Sequence, residues 1–142
     1  MMQIKVKYLR DVPKLERIKT GDWIDLRSGI DYDFQPGEYA VIPLGIAVEL
    51  PVGFEAVIAP RSSTYQRYGI MCAGSIGVID EAYRGDNDEW MFPAFSPHRG
   101  KVRKGDRIAQ FRILEHHPRF DIVEVEHLGN PDRGGLGSTG GR

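Results

Sequence analysis

The 142 residues carry 19 Lys and Arg against 20 Asp and Glu, a formal net charge of -1, with 41% hydrophobic and 27% charged residues. These proportions describe one globular domain that can bury roughly 68–70% of its unfolded surface without staples, and they exclude a general nucleic-acid or polyanion surface. Cys72 is the single cysteine, which excludes an intramolecular disulfide and a cysteine-based zinc site.

The opening Met1–Lys7 has no apolar h-region, and no run approaches the ~18 apolar residues of a membrane span, so an intracellular, cytoplasmic protein with no membrane partner is expected. Ile4, Val6 and Tyr8 alternate with Lys5 and Lys7, the period of a half-buried strand. Asp25-Leu26-Arg27-Ser28, after Gly21-Asp22-Trp23, is ambiguous by itself. Beyond the turn Gln35-Pro36-Gly37, the residues Leu44, Ile46, Val48 and Leu50 alternate within Pro43–Pro51. Phe54, Ala56 and Ile58 follow the turn Pro51-Val52-Gly53. The one helix candidate is Ser62–Tyr68, with Ser62 or Ser63 as N-cap and Gly69 closing it. His98-Arg99-Gly100 and Lys104-Gly105-Asp106 mark further turns, and Ile108–Ile113 and Phe120–Val125 repeat the strand signature. Short, frequent strands with 17 Gly and 9 Pro predict an all-β barrel or jelly roll with one short helix rather than βαβ units. Residues 1–128 read as a single β domain, and the Gly-rich tail 129–142 as a flexible segment outside the core.

Five segments carry chemistry. Pro60-Arg61-Ser62-Ser63 puts a guanidinium, two hydroxyls and the N–H groups of a helix start together, which suits an anion; equally, the serines can simply cap the helix. Gly77-Val78-Ile79-Asp80-Glu81-Ala82-Tyr83-Arg84-Gly85 reads as an apolar strand broken by a polar hairpin. Partial desolvation of Asp80 would raise its pKa and improve it as a general base; in the plainer alternative it satisfies its own turn and Tyr83 packs on a neighbour. In Gly105-Asp106-Arg107-Ile108-Ala109-Gln110, alternation puts Ile108 and Gln110 on one face, and surface exposure is the simplest account of the glutamine. Gly135-Leu136-Gly137-Ser138-Thr139-Gly140 fits GxGxxG, but only two residues follow it, so no dinucleotide-binding helix can form. What remains is either a disordered tail or a run of unhindered N–H groups and hydroxyls behind Arg133 able to wrap phosphate oxygens. His98, His116, His117 and His127 lack metal-ligand spacing and read as solvated or structural.

Asp25–Ser28, Pro60–Ser63, Gly77–Gly85, Gly105–Gln110 and Arg133–Gly140, in this order and at these intervals, closely resemble the five motifs of the homotrimeric deoxyuridine triphosphatases (dUTPases). The resemblance runs from about Lys5 to Gly140, and its third and fifth motifs are the most specific. It implies a distorted jelly roll, a homotrimer with three sites at subunit interfaces, and hydrolysis of dUTP to dUMP and pyrophosphate with Mg²⁺, which limits uracil in DNA and supplies dUMP for thymidylate synthesis. Carried over, Asp80 activates the water that attacks the α-phosphate, and Tyr83 stacks on the deoxyribose and excludes a 2′-hydroxyl. The hairpin around Gly74 and Gly77, with Ile79, reads uracil through main-chain atoms. Arg61, Ser62, Ser63 and Gln110 hold the phosphates, and Asp25 positions Mg²⁺ through its water shell. Arg133, Gly137, Ser138 and Thr139 close over the β- and γ-phosphates from another subunit. Such chemistry needs little covalent help and much positioning, so the lack of an all-protein metal cage is in keeping with it. Two departures stand out: Leu136 occupies a position where the family usually has an aromatic over the uracil, and Asp86–Pro97 is unlike the common pattern. Phe92 is the first choice for the missing ring, with Trp90 and Phe95 as further candidates. The competing readings are a dCTP deaminase-like enzyme, whose catalytic glutamate comes from a different motif, and a non-catalytic nucleotide-sensing or partner-binding protein on the same scaffold.

Overall fold

The computed structural model describes residues 1–141. Ten strands and one helix follow in chain order: β1 Lys5–Tyr8, β2 Ile24–Arg27, β3 Tyr32–Asp33, β4 Glu38–Glu49, β5 Phe54–Pro60, α1 Thr64–Tyr68, β6 Met71–Cys72, β7 Gly77–Ile79, β8 Glu89–Ser96, β9 Lys101–Val102 and β10 Arg107–Glu115. They form two four-stranded antiparallel sheets, β1-β4-β8-β6 and β2-β10-β5-β7, and a small β3-β9 pair. The core lies between the larger sheets, with Ile42, Leu44, Ile46, Trp90 and Phe92 from one and Leu26, Ile58, Ile108 and Phe111 from the other. Trp90 and Phe111 meet edge to face across it with ring centroids 5.0 Å apart, a geometry aromatic quadrupoles favour. The expected all-β jelly roll is therefore the observed fold.

Alternation is a good guide to β1 and β5, where Ala56 and Ile58 point inward. It fails in β4, which buries seven consecutive residues, Ile42–Val48. The pairing with β8 shifts register between Pro43 and Ala47, and Gly45 takes φ +77°, a value that costs a glycine little. The outer side of this bulge is covered by the Leu9–Val12 segment: Leu9 N–H donates to the Gly45 carbonyl at 2.8 Å, and a Cβ at Gly45 would come within 3.2 Å of Val12.

The helix is shorter than expected and capped differently. It runs Thr64–Tyr68, and although Ser63 sits at the N-cap position its hydroxyl makes no capping bond. Thr64 does the work from inside: its buried hydroxyl accepts from Arg61 N–H at 2.8 Å and donates to the Ile108 carbonyl at 2.9 Å. Gly69 closes the helix with φ +67°, as expected, where a Cβ would meet the Arg99 carbonyl at 3.0 Å. The serine hydroxyls are thus not consumed by the helix.

The strand expected at Phe120–Val125 is absent. β10 ends at Glu115, and Phe120, Ile122, Val123 and Val125 are all exposed. Their alternation is that of a strand, but among the described residues no strand pairs with them to supply a ladder.

Candidate active site

Four of the five segments converge on one sheet, because the order β2-β10-β5-β7 sets Asp25, Gln110, Arg61 and Gly77–Ile79 on successive strands or their ends. Gln110 stands opposite Asp25 on one side and Ala59 on the other, and Ala109 opposite Pro60. Asp25, Gln110 and Arg61 therefore share one end of the sheet. There Arg61 Nε lies 2.9 Å from Asp25 Oδ1, Arg107 Nη1 lies 3.4 Å from Oδ2, and Arg61 Nη1 donates to the Arg107 carbonyl at 3.3 Å. These contacts orient a planar guanidinium whose fork suits phosphate oxygens. Ser62 is exposed beside it and Ser63 half-buried.

Gln110 differs from expectation. A bulge between Arg107 and Ala109 buries Ile108 together with Ala109 and Phe111, so Ile108 and Gln110 do not share a face. The glutamine is half-buried and its Nε2 donates to the Pro60 carbonyl at 3.1 Å, which ties β10 to the residue before Arg61.

The Gly77–Gly85 segment works at the opposite end. β7 runs antiparallel to β5 with Gly77 opposite Ile58 and Ile79 opposite Ala56, so the chain moves away from Arg61 as it approaches Asp80. From Ala56 to Arg61 is five residues, about 17 Å of extended strand at roughly 3.3 Å per residue. Asp80 and Arg61 do not meet within one chain. Asp80 is also exposed, because β7 is the sheet edge and nothing covers its end; the expected desolvation is absent. Tyr83 is 39% exposed, and its position is set twice, by its N–H on the Asp80 carbonyl at 3.0 Å and by its hydroxyl on the Glu89 carbonyl at 2.9 Å.

The turn around Gly74 is not a hairpin. Met71–Cys72 pairs with β8 in one sheet and Gly77–Ile79 with β5 in the other, so the turn crosses between sheets and its two arms do not pair with each other. Gly74 and Ser75 take φ +83° and +77°, a conformation that strains a non-glycine residue by about 1 kcal/mol. Gly74, Ser75 and Ile76 are exposed, and Ala73 N–H anchors the turn on the Pro93 carbonyl at 2.8 Å.

Arg133, Leu136, Gly137, Ser138 and Thr139 are exposed and lie off the sheet; Leu136 has φ +47°. Phe92 requires correction. It is fully buried in the core, as is Trp90, because odd and even residues of β8 face opposite ways and these two face inward. Neither has a ring face to offer a ligand. Phe95, half-buried on the other side of β8, is paired with Tyr39 and Met71.

Two residues beside these groups are not evident from local sequence pattern. Arg107 lies within the Gly105–Gln110 segment but became a partner of Asp25 only through the register of β10 on β2. Ser75 is betrayed only by its positive φ. Among the described residues no cluster of three or more His, Cys, Asp or Glu could hold a metal ion, and no helix is long and apolar enough to cross a membrane.

Comparison with known proteins gives one answer. The family model described as dUTPase matches residues 20–140. The SPbeta prophage-derived deoxyuridine 5'-triphosphate nucleotidohydrolase YosS of Bacillus subtilis is 52% identical over 140 residues, covering 98% of this chain and 99% of that protein. The deoxyuridine 5'-triphosphate nucleotidohydrolase of Neorickettsia sennetsu is 36% identical over 126 residues, 86% of this chain and 83% of its own length. Among solved structures, the dUTPase of Staphylococcus bacteriophage 80alpha with dUPNHPP superposes with a TM-score of 0.83 at 23% identity, over 97% of this chain and 98% of that one, which speaks for the fold. A variant of the dUTPase from phage phi11 of S. aureus, solved with attention to a structural Mg(II) ion, has a TM-score of 0.76 at 20% identity over 89% of this chain and 98% of that chain. With matching motifs on a shared sheet, a family model over most of its length and relatives well above 30% identity, this chain belongs to the dUTPase family.

Proposed function

We propose that the chain hydrolyses dUTP to dUMP and pyrophosphate at sites shared in a homotrimer, each built from the Arg61 end of one copy, the Asp80 end of a second and the Arg133–Thr139 tail of a third. The observation that carries this reading is the register of β7 on β5. A general base must stand within hydrogen-bond reach of the proton it removes, or one water away, and Asp80, one residue beyond the Ile79–Ala56 pair, is about 20 Å along the sheet from Arg61. A closed ring of copies removes that gap. Two further surfaces support assembly: the exposed apolar run Phe120–Val125, and a groove of about 610 Å³ whose lining includes Ile4, Val6 and Tyr8 of the β1 region and Ile24 of β2.

In this arrangement Arg61, Ser62, Ser63 and Gln110 hold the phosphates, and Asp80 takes the proton of the water that attacks the α-phosphate. Tyr83, its phenol already tethered, stacks on the deoxyribose where a 2′-hydroxyl would clash. The crossing turn at Gly74, with Gly77 and Ile79, reads uracil by its main chain. Arg133, Gly137, Ser138 and Thr139 close over the phosphates, and Leu136 covers the base, since Phe92 is confined to the core. Asp25 fits a role toward Mg²⁺: each of its oxygens meets one guanidinium, and an ionised carboxylate has about four lone-pair sites, which leaves capacity for metal-bound water. Bound to substrate oxygens, Mg²⁺ would neutralise charge developing on the phosphates. We place the reaction in the cytoplasm, with neither membrane nor nucleic acid as a partner.

The test is pyrophosphate release from dUTP, dCTP, dTTP and UTP, with and without Mg²⁺. Release from dUTP far above the others, dependent on Mg²⁺, supports the reading; ammonia from dCTP, or no turnover of any of the four, overturns it.

A further inference from the structure

β7 is an edge strand of three residues, and its ladder stops at Ile79, one residue before Asp80. The loop beyond is fastened to the body of the sheet by its next side chain. Glu81 Oε2 accepts the Gly53 N–H at 3.0 Å and lies 3.5 Å from His116 Nε2, while His116 N–H donates to the Gly53 carbonyl at 2.9 Å. One carboxylate oxygen thus joins the Asp80 loop, the β4–β5 turn and the end of β10. The Glu81 side chain is 22% exposed between the exposed Asp80 and Ala82.

We infer that Glu81 is a positioning residue that holds Asp80 at its working place by clasping Gly53 and His116. The inference rests on Asp80 acting as the general base. Placement errors of about 1 Å can cost up to about a hundredfold in rate, and Asp80 has no ladder bond of its own to resist them. Phosphate grip is separate, because Arg61 and Gln110 sit at the far end of the sheet, and Tyr83, although its N–H meets the Asp80 carbonyl, keeps a second tether through its hydroxyl on Glu89. Losing the clasp therefore acts on kcat and leaves KM.

The experiment measures kcat, KM for dUTP and thermal midpoint for Glu81→Ala, Glu81→Gln, Glu81→Asp and Asp80→Asn. Glu81→Ala should lose about ten- to a hundredfold in kcat with KM within a few-fold of wild type. Glu81→Gln keeps an acceptor oxygen for Gly53 and should recover most of the rate; Glu81→Asp keeps the charge, cannot reach, and should fall with the alanine variant even if that variant folds poorly. Wild-type kcat in Glu81→Ala or Glu81→Asp, a loss expressed in KM, or failure of Glu81→Gln to rescue would overturn the inference. Asp80→Asn separates the two levels: if it is inactive while the Glu81 variants are normal, only the positioning role fails, and if it is active, the base assignment itself fails.

Discussion

The two ends of the β2-β10-β5-β7 sheet are built on opposite principles. At one end Asp25 on the edge strand β2, Arg107 and Gln110 on the central β10 and Arg61 just past the end of β5 are cross-braced by ion pairs and by the Thr64 hydroxyl. At the other, Asp80 and Tyr83 project from the end of a three-residue edge strand and are exposed. The braced end suits fixed recognition of phosphate charge, and the exposed end suits a base that meets its substrate only when another copy arrives. A single chain thus carries the two groups at separate ends of one sheet, and the shared site proposed above brings them together from different copies.

The largest effect should come from the exposed end. Asp80→Asn keeps the shape but cannot take a proton, and general-base loss costs about 10²–10⁴-fold in rate; kcat at saturating dUTP should fall by that much with binding retained. A variant keeping more than half the wild-type kcat would remove Asp80 from the chemistry. Removing residues 132–142 takes Arg133, Ser138 and Thr139 but no strand, so turnover should collapse while the thermal midpoint stays within a few degrees. A matching loss of stability would mean that the tail belongs to the fold.

At the braced end, Thr64→Val strands the Arg61 N–H and the Ile108 carbonyl and should cost about 1–3 kcal/mol of stability, measured by denaturant unfolding, together with a raised KM as Arg61 loses its footing. An unchanged KM would show that the brace serves stability alone. The smallest effect is expected for Leu136→Phe, which adds stacking over the base and should lower KM for dUTP modestly; a raised KM would mean that another group already covers uracil.

Much of this was legible in the residues. Short alternating runs at Ile4–Tyr8 and Phe54–Ile58 are strands because period-two burial is a local property, and Gly69 closes its helix because αL backbone is one too. The errors share a cause in long-range register. β4 buries seven residues in a row around a bulge at Gly45 whose outer side the Leu9–Val12 segment covers. Gln110 acquired a partner through a bulge no local pattern announces, and Phe92 faced inward by the phase of β8. Phe120–Val125 has the composition of a strand, but strands need neighbours, and among the described residues no strand pairs with it. The motif residues were readable as chemistry, whereas their division between two ends of a sheet was not, since it depends on β7 running antiparallel to β5.

Mixing two inactive variants addresses that division directly. Arg61→Ala chains lack the phosphate grip and Asp80→Asn chains lack the base, and each homotrimer should be inactive. After denaturation and co-refolding in equal amounts, a shared site draws its Arg61 and its Asp80 from different copies, so about one site in four should be intact and about a quarter of wild-type activity should return. If the mixture stays as inactive as its parents after subunit exchange has been verified, Arg61 and Asp80 act within a single chain and the composite site is wrong.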